Sequence, residues 1–187
     1  MDFSTKPVLT GTRTILRPFT AADADTMWEI IGDPEVVRFT YEPGTDLDLE
    51  RTRSWYATRA EQDDRLDLAV TDRTSGEVVG EVVLNEWDPR TRSCTFRTLI
   101  GPRGRGRGLG TEAMRLIVGH GFERLGLHRI ELVAYGHNLR ALHVYEKVGF
   151  TVEGVRREVA LRDGAWTDEV IMAMLDREWA ALSATAR

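Results

Sequence analysis

The chain has 187 residues, 42% of them hydrophobic and 29% charged, with a formal net charge of −5. That length suits one domain with a sizeable core, the composition is that of an ordinary soluble globular protein, and the acidic balance disfavours a nucleic-acid binder held by phosphate neutralisation. A single cysteine, Cys94, excludes an intramolecular disulfide framework and any Cys-based zinc site. No apolar run approaches transmembrane length and the first residues carry no apolar signal core, so the expected setting is cytoplasmic, with no membrane partner.

Residues 14–19 read as a short strand ended by Pro18. Thr20 then caps a helix over about 21–31, with Asp23 at the capping-box position and Gly32-Asp33-Pro34 stopping it. A second helix spans about 49–62. Residues 66–71 and 77–85 are strands joined by a hairpin turn, and the turn at 88–90 leads into a third strand over 93–100. Helical spacing of Ala113, Met114, Ile117, Val118, Phe122 and Leu125 places the next helix from about Thr111 to Gly126. A strand at 130–135 follows, then a helix capped by Asn138 with Gly149 as its C′ residue. Strands over about 151–162 and 166–175 are joined by Asp163-Gly164, and the tail from 176 to about 183 reads as a short helix that frays. There is no repeat and no linker, so one domain spans 10–176 and 177–187 forms a C-terminal tail. Hairpin segments should pair antiparallel and the strands flanking residues 103–113 should lie parallel.

Residues 103–113, RGRGRGLGTEA, carry four glycines within seven positions, between an apolar strand and a helix start. Such a turn presents unpaired N–H groups at the positive end of a helix dipole, which suits a phosphate, and the arginines add cationic charge. The P-loop pattern fails for want of a lysine followed by Ser or Thr. The dinucleotide pattern fails because Leu109 or Thr111 stands where a third glycine is required. An arginine-glycine linker or RNA-binding segment would ordinarily sit in a longer low-complexity tract.

Arg103-x-x-Gly106-x-Gly108 resembles the acyl-CoA signature of the GNAT superfamily of N-acetyltransferases. Asn138-x-x-Ala141-x-x-x-Tyr145-Glu146-Lys147-x-Gly149-Phe150 is similar to that superfamily's second motif, in the expected order and spacing. The version here is most similar to the branch holding ribosomal-protein N-terminal acetyltransferases and spermidine acetyltransferases. The resemblance implies an α/β (α+β) GNAT fold: a mixed, mostly antiparallel sheet of about seven strands, splayed at the acyl-CoA slot, with helices on both faces. It implies transfer of an acetyl group from acetyl-CoA to a primary amine (a protein N-terminus, a polyamine or another small amine) by direct attack in a ternary complex, with no metal. The alternatives are succinyl-CoA or another short acyl-CoA as donor, which an arginine such as Arg97 beside the thioester would favour, and a non-catalytic coenzyme A-binding regulatory module. A homodimer is implied by resemblance alone.

By the same resemblance, Arg103, Arg105, Gly106, Arg107, Gly108, Leu109, Gly110 and Thr111 hold the coenzyme A pyrophosphate, Leu99 and Ile100 pair with the pantetheine arm, and Asn138 contacts the cofactor besides capping its helix. Tyr145 is the implied general acid, although its place in an apolar helical stripe also suits plain packing. No acid stands on the strand at 93–100, which leaves Glu81, Glu86 and Glu131 as candidate bases, although a solvated strand charge is the plainer reading of each. Trp28, Tyr41, Trp87 and Asp168, with Phe39, Glu42, Trp55 and Trp166, are candidates for acceptor binding, since aromatic rings and acids suit a cationic amine.

Overall fold

The computed structural model describes residues 3–40, 47–162 and 164–185. Its strands are β1 (Leu9–Thr10), β2 (Thr14–Pro18), β3 (Leu66–Asp72), β4 (Val78–Asp88), β5 (Ser93–Ile100), β6 (Arg129–Tyr135), β7 (Thr151–Arg162) and β8 (Ala165–Leu175). The helices are α1 (Ala24–Ile31), α2 (Pro34–Thr40), α3 (Leu49–Thr58), α4 (Leu109–Glu123), α5 (Leu139–Val148) and α6 (Asp176–Thr185). The strands form one sheet of eight in the order β1-β2-β3-β4-β5-β6-β8-β7. Seven were expected; β1, of two residues, is too short to show any alternation.

Alternation along the strands sends side chains to two cores. Leu66, Leu68 and Val70 of β3 meet Met114, Ile117 and Val118 of α4 on one face. Ala69, between them in sequence, faces Met27, Ile30 and Ile31 of α1 and Tyr56 of α3 on the other, alongside Leu99 of β5. Period two along a strand against period 3.6 along a helix is what lets one short segment serve both layers. Helices therefore cover both faces, as expected.

Every described neighbouring pair is antiparallel except β5 and β6. These two are joined through α4 and pair in parallel over three rungs only, Ser93 with Arg129, Cys94 with Ile130 and Thr95 with Glu131. Beyond Thr95, β5 stays with β4 as far as Ile100, while β6 follows β8 as far as Tyr135. The sheet splits between two loyalties, and the split is a V-shaped slot.

Two sequence expectations need correction. Gly32-Asp33-Pro34 ends α1 but also starts α2: Asp33 Oδ1 accepts the N–H groups of Glu35 and Val36 at 3.2 and 3.1 Å. Asp33 is thus an N-cap, with Pro34 at the first helical position, where its missing N–H costs nothing. The tail expected to fray is held instead. Trp179 of α6 donates through Nε1 to Glu123 at 2.8 Å and stacks on Phe122 with ring centroids 6.2 Å apart.

Candidate active site

The slot between β5 and β6 opens into a cleft of about 800 Å³. The glycine loop closes one end of it. Gly106 and Gly108 take left-handed backbone angles, φ 70° and 78°. A Cβ on Gly108 would stand 2.9 Å from the Arg13 guanidinium. Gly108 is the N-cap of α4, and the N–H of Glu112 is the first to join the helical ladder, on the Gly108 carbonyl at 3.1 Å. The N–H groups of Leu109, Gly110 and Thr111 therefore have no intrahelical acceptor, at the positive end of a fifteen-residue helix. Gly104, Arg105, Gly106, Gly108, Gly110 and Thr111 border the cleft, so a diphosphate fits against this turn.

The loop arginines are committed to carboxylates of the chain. Arg105 donates to Asp33 at 2.5 Å and to Glu35 at 3.0 Å, and its Nε donates to the Ile100 carbonyl at 3.0 Å. Arg107 turns away to Asp72 at 2.6 Å, and exposed Arg103 lies 3.4 Å from Glu77. Of the three, only Arg105 lines the cleft; Leu109 is buried beneath it. Glu112, in the first turn of α4, grips the N-terminal hairpin. Its carboxylate accepts from the N–H groups of Thr12, Arg13 and Thr14 and from both threonine hydroxyls. Partial burial works to raise its pKa, but those hydrogen bonds outweigh burial and hold it at about 2.

Tyr145 of α5 lies on the cleft wall, only 8% exposed, with its ring edge toward Phe96 and Phe150. Burial pushes its phenol up to about 12, so it is a donor throughout the physiological range. Its hydroxyl forms no hydrogen bond among the described residues. Asn138 also lines the cleft, with its side-chain oxygen taken by the cap of α5, on the Ala141 N–H at 3.2 Å. Leu99 and Ile100 lie on the β5 wall, next to the split.

A second cavity of about 380 Å³ adjoins the first through Thr40, Arg97, Thr98 and Leu99, which line both. Glu81 is in its wall, beside Leu99 on the neighbouring strand. Tyr56 of α3 donates to the Glu81 carboxylate at 3.0 Å. Desolvation, reinforced by nearby Asp67, outweighs that hydrogen bond and lifts the carboxyl to about 7. Glu86, a second acid candidate, is exposed at the edge of the larger cleft and accepts from the Thr95 hydroxyl at 2.7 Å, while Glu131, the third, lines neither cavity and accepts from Arg129 at 3.0 Å. Among the described residues, no group of three or more His, Cys, Asp and Glu could hold a metal ion.

The acceptor candidates scatter. Trp28 and Trp87 line neither cavity; each is half-buried against one of the two cores. Asp168 lies outside both and accepts the Glu158 N–H at 2.8 Å. Trp166 is exposed on β8, and Tyr41 and Glu42 lie outside the described residues. Phe39 and Trp55 do line cavities. Sequence reading gave no role to Tyr56 or to Glu35, which joins Arg105 of the loop to Arg140 of α5. The Asp-Pro pair before Glu35 was the available signal for α2; nothing local marked Tyr56 as the partner of a glutamate 25 residues away.

Residues 13–151 match the model of the acetyltransferase (GNAT) domain. The chain belongs to the GNAT family. Acetyl-CoA is the co-substrate of GNAT acetyltransferases, and the turn at Gly106–Thr111 has the form that its diphosphate requires. Among relatives, spermidine N(1)-acetyltransferase of Escherichia coli K12 is 27% identical over 166 residues, covering 89% of this chain and 88% of its own. L-amino acid N-acetyltransferase AaaT of the same organism is 33% identical over 100 residues, 52% of this chain and 62% of its own. The spermidine N-acetyltransferase structure from Vibrio cholerae, in complex with CoA and spermine, superposes with a TM-score of 0.81 at 22% identity, covering 91% and 99% of the two chains. That likeness confirms the GNAT fold, one strand larger than expected. No helix among the described residues is long and apolar enough to cross a membrane.

Proposed function

We propose that this GNAT chain moves an acetyl group from acetyl-CoA to the primary amine of a small acceptor, with the amine delivered from the smaller cavity and the thioester held in the slot. The observation that carries this reading is the junction itself. Glu81 stands on one side of β5 and Tyr145 on the other side of the split, so an amine and a thioester meeting at Thr98 and Leu99 lie between a base and a donor.

Backbone N–H groups of the glycine turn hold the diphosphate, and the β5 edge beyond Thr95, unpaired on its β6 side, offers amides to the pantetheine arm. The amine nitrogen attacks the thioester carbonyl; its C–N bond forms as the C–S bond breaks. The surplus proton of the attacking amine passes to Glu81, directly or through one water. A carboxyl at about 7 is half ionised near neutrality and is therefore matched to that task. Tyr145 donates to the departing sulfur. A thiol titrates near ~8.5, well below this phenol, so stabilisation comes chiefly from the hydrogen bond as negative charge develops on sulfur.

Relatives named for spermidine, and one named for amino acids, support a small amine as acceptor. Thiol release from acetyl-CoA, measured against polyamines, amino acids, aminoglycosides and peptide N-termini, tests the proposal. Turnover with at least one amine is expected; silence across the panel with coenzyme A binding intact would replace the enzyme by a coenzyme A sensor.

A further inference from the structure

The smaller cavity is unusually rich in cationic groups for one that is to receive an amine. Among the described residues, three arginines line it, Arg51, Arg65 and Arg97, against two carboxylates, Asp48 and Glu81. The groups are not equally available. Arg65 is tied to Asp67 at 2.6 Å. Among the described residues, neither Arg51 nor Arg97 forms a salt bridge, although Arg97 stands near enough to Glu81 to favour its ionised form.

The groups that would attract a polycation are already engaged. The Asp48 side chain caps α3, accepting the Arg51 N–H at 2.6 Å. Glu81 accepts from Tyr56. The exposed ring of Trp55, which a free ammonium could approach, is covered by the Arg59 guanidinium 3.5 Å from its centroid. Among the described residues, the Arg51 and Arg97 guanidinium groups are left without a salt bridge, with an apolar wall from Ile31, Leu47 and Val83. A guanidinium presents a planar fork that matches a carboxylate.

Resting on the acetyl-transfer reading above, we propose that the acceptor amine carries a carboxylate, which Arg97 and Arg51 hold in the smaller cavity while the amine points to the slot. The two anchors divide the space. Arg51 lines only the smaller cavity, whereas Arg97 reaches the junction, so the carboxylate lies on the α3 side of β5. This also separates an acidic acceptor from an acidic acyl chain, which would sit in the slot with Arg97 alone.

The test uses matched pairs of acceptors with the full chain and acetyl-CoA: tyrosine against tyramine, ornithine against putrescine, and peptides with acidic against neutral second residues, with spermidine as reference. The carboxylated member of a pair should have a kcat/KM at least about tenfold higher, the scale of one charge-assisted contact. In Arg97→Gln and Arg51→Gln that ratio should fall toward one, through KM for the acceptor. Preference for free amino acids assigns an α-carboxylate and preference for acidic peptides a side-chain carboxylate; either supports the proposal. Equal or better turnover of carboxylate-free amines would overturn it and leave acetyl transfer standing. A variant that alters acetyl-CoA against succinyl-CoA preference, with the acceptor ratio unchanged, would overturn it too. Silence with every amine, with coenzyme A binding intact, would bring down acetyl transfer itself and this proposal with it. Circular dichroism and coenzyme A binding of each variant separate lost contacts from lost fold.

Discussion

The two halves of the proposed site would recognise their ligands by different means. On the α4 side, the proposed recognition is by backbone, at a turn where Gly106 and Gly108 adopt angles that a side chain resists. On the α3 side, it would be by side chains brought from α2, α3, β4 and β5. A backbone site is fixed by the path of one short segment, so it must be spelled in consecutive letters. A side-chain site is assembled by packing, and each contributor can change without altering the path of the chain. The first kind of site keeps its ligand; the second is free to vary it.

Experiments can press on this contrast. The largest effect is expected from Tyr145→Phe, which should lower kcat by about a hundredfold while coenzyme A affinity holds. Unchanged turnover would return Tyr145 to the role of a packed aromatic. Glu81→Gln should lower kcat/KM on a similar scale and abolish the rise in rate centred near pH 7. Its stability should move the other way. A carboxyl raised from 4.5 to about 7 contributes stability that is full below 4.5 and lost as pH rises through 7, so the amide should be the more stable form at pH 8. A pH–rate profile and melting curves on the same variant read both.

Gly108→Ala attacks the backbone site. A side chain there meets both the positive φ and Arg13, and a strain of about 1–2 kcal/mol should weaken coenzyme A binding roughly tenfold, measured by calorimetry. If affinity survives, the turn does not depend on glycine. Glu112→Ala should cost about 2 kcal/mol and lower the melting temperature by about 4–8 °C, by releasing the hairpin at Gly11–Thr14. In the parent chain the same contribution is present above 4.5 and fades as pH falls through about 2. The smallest effect is expected from Asp168→Asn: less than about twofold in acceptor KM, because that carboxylate serves the Glu158 N–H outside both cavities. A larger change would extend the acceptor site onto β8.

The same contrast explains what could be read from letters. The strand and helix order was legible because alternation and 3.6-residue spacing are local, and so were the loop and the segment around Tyr145. The split between β5 and β6 needed the family resemblance, since it arises from competition between pairing with β4 and with β8. Missing α2 concealed Glu35 and its bridges. Trp28 and Trp87 drew attention as aromatic residues, yet burial had claimed both. Glu81 was one of several strand acids until Tyr56, distant in sequence, was seen to meet it. Arg97 was read as a possible partner of an acidic acyl chain, and the smaller cavity, which it lines together with Arg51, adds the acceptor side.

An open strand edge ordinarily invites the wrong company, because any extended chain can continue the sheet. Beyond Thr95, β5 has such an edge, but it faces a cleft lined also by Val36, Phe39, Ala141 and Tyr145. An edge set within a cleft admits a single slender arm more readily than another folded copy. The walls therefore sort visitors by cross-section before any atom of the reaction is in place. A hazard common to sheet proteins becomes, by recess alone, a sieve.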